Sequence, residues 1–80
     1  MTNELKQMEK DLINKYTEKV VLEYKAQYDD AVTLLLIGSE VEDKKGLEQA
    51  KKEYYNEAEE MLEKIPQDYR KFRELLVEEF

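Results

Sequence analysis

The side chains that carry most enzyme chemistry are nearly all missing from this chain. It contains no His, no Cys and no Trp, and its one serine is Ser39. Those absences exclude imidazole or thiolate metal sites, redox dithiols, disulfide scaffolds and any Ser-His or Cys-His catalytic pair. What remains is 20 acids, 13 bases and six tyrosines in 80 residues. Paired carboxylates act as general acid and base only when burial moves their pKa values apart. Every acid here falls on a polar helical face, as the spacing below makes clear. No catalytic residue is expected, and the chain reads as a non-enzyme.

The acids invite one metal hypothesis. Glu59-Glu60-Met61-Leu62-Glu63 reads Glu-Glu-x-x-Glu, with Glu60 and Glu63 on neighbouring helical positions. Mg²⁺ favours such oxygen ligands, and the five residues resemble half of the magnesium site of all-α nucleotide pyrophosphohydrolases. That family pairs the motif with a later Glu-x-x-Asp, whereas here the only one, Glu40–Asp43, comes earlier. Di-iron carboxylate bundles need a Glu-x-x-His, and Asp43–Gly46 lacks the alternating ligands of a calcium loop. A solvated acidic face is the reading, with no metal and no cofactor.

Tyr16, Tyr24, Tyr28, Tyr54, Tyr55 and Tyr69 are the compositional outlier. Tyrosine suits the rim of a small helical core, ring inside and hydroxyl in water, and it is enriched at binding hot spots. Tyr16, Tyr24 and Tyr28 lie on an apolar stripe. Tyr55 lies off one, beside Tyr54 which lies on it, and so is a contact candidate. Leu34, Leu36 and Ile37 make one helix end apolar nearly all round, which predicts burial beneath a third helix or in another chain.

The elements that position these residues follow from spacing. Ile13, Tyr16, Val20, Tyr24, Tyr28, Ala31 and Leu35 keep to one face of a helix at 100° per residue. Thr2 or Asn3 can cap its start, and Gly38 reads as its stop. Ser39-Glu-Val-Glu42 matches a capping box, though Gly46 weakens the next turns and Leu47 is an alternative start. Leu47, Ala50, Tyr54, Ala58, Met61 and Ile65 form the second stripe. Pro66 ends it and opens a third helix, whose apolar side is Tyr69, Phe72, Leu75, Leu76 and Phe80. The expectation is a single all-α domain over residues 1–80. Its helices would span roughly 3–37, 40–64 and 67–79, an antiparallel hairpin with a short third helix in a three-helix bundle.

A chain of this mass would hide roughly 64% of its surface on folding, leaving little room for a deep pocket. The first helix would be about 50 Å long, longer than its partners can cover, which predicts a homodimer or a hetero-complex. The longest apolar run, Leu34–Ile37, falls far short of the roughly 20 residues of a membrane span. No secretory or lipidation signal is expected from the end residues, and a cytoplasmic protein with no membrane partner is the default reading.

Net charge is −7, shared as −2, −4 and −1 among the three segments. Bases are scattered, so the phosphate term that dominates nucleic-acid affinity is missing, and no direct nucleic-acid binding is expected. Function is read as binding to another protein through amphipathic helical faces. Such a chain would be a small regulator, adaptor or inhibitor of the kind short bacterial or phage genes encode. The alternative reading is an acidic mimic of DNA, inhibiting a nuclease or other nucleic-acid-binding protein through Glu53, Glu57, Glu59, Glu60 and Glu63.

Overall fold

The computed structural model describes residues 2–79; Phe80, assigned above to the third apolar side, lies outside them. Helices follow one another from end to end, and no strand occurs among the described residues. α1 is Asn3–Tyr16 and α2 is Glu18–Lys45. α3, residues 47–63, begins as the α-helical turn Leu47–Ala50, widens into a π-helical turn over Lys51–Tyr55 and resumes as Asn56–Glu63. α4 is Gln67–Glu79. The all-α expectation holds, with four helices where three are expected.

The additional break falls at Thr17, inside the expected 3–37 helix. Thr17 takes φ 78° and ψ 155°, a region of backbone space that is essentially glycine's. Its N–H donates to the Ile13 carbonyl at 2.8 Å, and its Oγ1 accepts the Val20 N–H at 3.4 Å, so one residue closes α1 and caps α2. The strain costs about 1–3 kcal/mol. What offsets it is the burial gained when α1 folds back: Leu5 and Leu12 become fully buried against Tyr69 and Phe72. Each such side chain contributes about 1.5–3 kcal/mol. Burial wins, and the long helix breaks.

Gly38 does not stop a helix, and Ser39-Glu-Val-Glu42 does not cap one. α2 runs through both to Lys45, and the break falls at Gly46, φ 95°, so that α3 starts at the alternative position Leu47. Gly38 is buried because α3 crosses there. A Cβ at Gly38 would lie 2.6 Å from Tyr55 Cε1 and 3.0 Å from Tyr54 Cβ. The glycine is a notch for a tyrosine, which also donates its hydroxyl to Glu42 Oε2 at 2.6 Å.

The π turn has a packing reason. Ala50 and Ala58 are both completely buried, yet eight residues separate them, about 80° apart on a regular α-helix. The wide turn absorbs one residue and returns both alanines to the face that packs on α2.

α4 follows Pro66 as the sequence predicts and packs along α1 and the first half of α2. There the main core forms from Leu5, Leu12, Ile65, Tyr69 and Phe72. The second half of α2 and α3 extend beyond it as a bare antiparallel pair. The molecule measures 43 × 24 × 15 Å with a radius of gyration of 14.6 Å, against about 11.6 Å for a compact chain of this length. Its accessible surface is 6059 Å², where a globule of the same mass would show roughly 5,100 Å².

Candidate protein-binding groove

A groove of about 500 Å³ opens where α1 and α2 diverge over α4. Its walls and floor are Ile13 of α1, Val21 and Leu22 of α2, and Tyr69, Phe72, Leu76 and Val77 of α4. Each helix turns an apolar residue toward it because none has a fourth helix to cover the junction. Leu22 is 57% exposed and Val77 68%. Charged residues border it: Glu9 and Glu18 are acidic, Lys25 and Arg73 basic.

Arg73 is the most tightly held of these. Its Nη2 donates to Asp29 Oδ1 at 2.6 Å, its Nη1 to the Tyr69 hydroxyl at 3.3 Å, and its guanidinium lies 4.7 Å from the centroid of the Tyr28 ring. Burial pulls its pKa down, but the bonds to Tyr69 and Asp29 outweigh this and leave it above the ordinary value. It enters the groove as a fixed positive charge.

Behind the groove Asp68 ties the start of α4 to the end of α1. Its carboxylate accepts Lys15 Nζ at 3.0 Å, the Tyr16 hydroxyl at 3.0 and 3.1 Å, and the N–H of Tyr69 at 2.9 Å. Burial pushes the carboxyl up, yet these donors together hold it below the usual value. Lys15 therefore pairs with Asp68 rather than with Asp11, its i,i−4 neighbour, which instead accepts from Gln7.

Tyr16, Tyr24 and Tyr28 are half-buried and engaged within the chain. Tyr16 meets Tyr24 edge-on at 5.5 Å between ring centroids, and Tyr24 and Tyr28 pack on Tyr69 at 6.0 and 6.4 Å. Tyr55 is half-buried over Gly38, and its bond to Glu42 raises its pKa above the ordinary value. Leu34 is half-buried, while Leu36 and Ile37 are exposed on the protruding pair and α4 does not cover them. Glu53, Glu57, Glu59, Glu60 and Glu63 are all exposed along α3, with Glu53 accepting from Gln49. Among the described residues, no three carboxylates converge on a metal-sized site.

Sequence reasoning missed Leu22 and Val77. Their signal was available: each is a large apolar residue off the stripe of its helix. It went unread because single exposed apolar residues are ordinary, and only the fold brings two of them to one groove.

Among the described residues no helix is long and apolar enough to cross a membrane. Comparison with protein families, curated proteins and solved structures gives no match to this chain.

Proposed function

We propose that this protein acts without catalysis, as a small regulator, adaptor or inhibitor that binds another protein by seating the apolar face of a partner's helix in the groove between α1, α2 and α4. The observation that carries this reading is the apolar lining of the groove, with Leu22 and Val77 held in water at its mouth. Recognition of an amphipathic helix needs such a lined channel, and the four bordering charges would set the direction in which the partner lies. Leu36 and Ile37 offer a second, smaller apolar contact on the protruding pair.

The exposed glutamates of α3 support a second reading, in which the acidic face enters the basic groove of a nucleic-acid-binding protein. Ionic strength separates the two, since exposed charge pairs are screened and apolar contacts are not. The test uses immobilised wild type, Leu22→Lys/Val77→Lys and Glu53→Lys/Glu57→Lys/Glu60→Lys side by side, with captured partners eluted in rising salt. All five sites are exposed, so the fold is expected to survive. The groove reading expects a partner that resists high salt and is lost from the Leu22/Val77 variant. A partner that leaves at moderate salt and ignores that variant would replace it with the acidic-face reading.

A further inference from the structure

We propose that two copies of this protein exchange α1 to form a dimer, with Thr17 as the hinge. The exchange goes beyond the groove reading and does not depend on what the groove binds.

The first observation is the backbone at the two single-residue breaks. Thr17 (φ 78°, ψ 155°) and Gly46 (φ 95°, ψ 161°) adopt nearly the same conformation. Glycine holds it without a Cβ penalty, whereas a β-branched residue does not. The Thr17 hinge is a single exposed residue, so the strain has nowhere to spread. Short strained hinges favour exchange of the element beyond them.

The second observation is that the chain on either side of Thr17 is already written as one helix. Ile13, Tyr16, Val20, Tyr24 and Tyr28 hold helical spacing across the break. The bonds from Thr17 N–H to Ile13 and from Val21 N–H to Thr17 are of the helical i→i−4 kind. Straightening Thr17 would add the missing rungs between them, because the first amides of α2 lack helical partners. Residues 3–45 would then form one helix of about 64 Å, longer than the present 43 Å molecule.

A single chain cannot do this without loss. Lifting α1 away strands Leu5 and Leu12 on one side and Tyr69 and Phe72 on the other, and it parts Asp68 from Lys15 and Tyr16. The surface left bare is shaped, residue by residue, for this one helix. A second copy's α1 restores every contact in the same register while both hinges relax, and that identifies the partner as another copy of this chain.

The chain has no cysteine, so a Lys15→Cys/Asp68→Cys variant with a bis-maleimide of helix-to-helix reach reports which α1 lies on which α4. Light scattering after size exclusion, at concentrations rising to millimolar, is expected to show a growing dimer. The cross-link in that dimer is expected to join two chains on a denaturing gel. Thr17→Gly, which the present backbone accommodates, is expected to weaken the dimer about tenfold or more, and Thr17→Ala to strengthen it. Circular dichroism checks that each variant stays helical. A dimer cross-linked only within its chains, a Thr17→Gly protein that dimerises like wild type, or a monomer at every concentration would each overturn the proposal.

Discussion

The two ends of this molecule are packed by opposite means. Where α1, α4 and the first half of α2 meet, the interior consists of large side chains: Leu5, Leu12, Ile65, Tyr69 and Phe72. Along the protruding pair of α2 and α3, the buried residues are Ala31, Gly38, Ala50 and Ala58. The first interior is filled by side chains that interdigitate, and the second by backbones that approach until little space is left. One end cannot lose volume and the other cannot gain it. Substitutions should therefore have opposite signs of tolerance at the two ends.

The largest effect is expected where volume is removed from the first end. Phe72→Ala should cost about 3–5 kcal/mol. A domain of this length has about 4–12 kcal/mol in all, so much of the margin goes. Urea unfolding followed by circular dichroism measures it, and a loss under about 1 kcal/mol would mean that Phe72 does not anchor this core.

At the second end the informative change adds a methyl group. Gly38→Ala gains about 1 kcal/mol of helix propensity but drives a Cβ into the Tyr55 ring, and over-packing of this kind costs about 1–3 kcal/mol. The expected net is a loss of about 1 kcal/mol. In a Tyr55→Ala background the ring contact is gone and only the 3.0 Å approach of Tyr54 Cβ remains, so the same substitution should cost less than it does in the wild type. A double-mutant cycle in urea reads this coupling directly. Additivity of the two changes would remove the notch from the account of Gly38.

The smallest effects separate the ends by pH. Asp68 is held below its unfolded pKa, so its contribution is present above about pH 4 and is lost as acid takes the carboxylate through its folded pKa. The group is partly exposed, and the contribution is about 1 kcal/mol or less. Asp68→Asn should therefore lower stability at neutral pH and flatten the acid limb below about pH 4. Tyr55 has the opposite linkage. Its folded pKa is raised, so its contribution holds below about pH 10 and is lost above. Tyr55→Phe should flatten only the alkaline limb. If thermal melts across pH show each variant changing both limbs, the two ends do not titrate independently.

Legibility in the sequence follows the range of the interaction. Pro66 marks the α3–α4 turn because its ring bars the preceding residue from helix whatever surrounds it. The stripe over Leu47–Ile65 predicted one helix, and the structure keeps it with a π turn that takes up the drift of its 4,4 spacing. Gly38 misled because a glycine after an apolar run has the same local signature whether it ends a helix or admits a neighbour. The neighbour, Tyr55, is seventeen residues away. Thr17 gave only the weak local signal of a threonine that can cap a helix, with no Gly or Pro beside it and no capping-box acid at Val20 to strengthen it.

The sequence by itself therefore determined what short-range physics decides: an all-helical chain, its apolar faces, the start of α4 and the absence of histidine and cysteine chemistry. Only the tertiary structure decided where the long helix breaks, which residue Lys15 pairs with, and that Leu22 and Val77 share one groove. These depend on groups brought together from distant parts of the chain. The burial of Leu5 and Leu12 by Tyr69 and Phe72 is large enough to force Thr17 into a glycine's conformation, and no pattern of neighbouring residues encodes that sum.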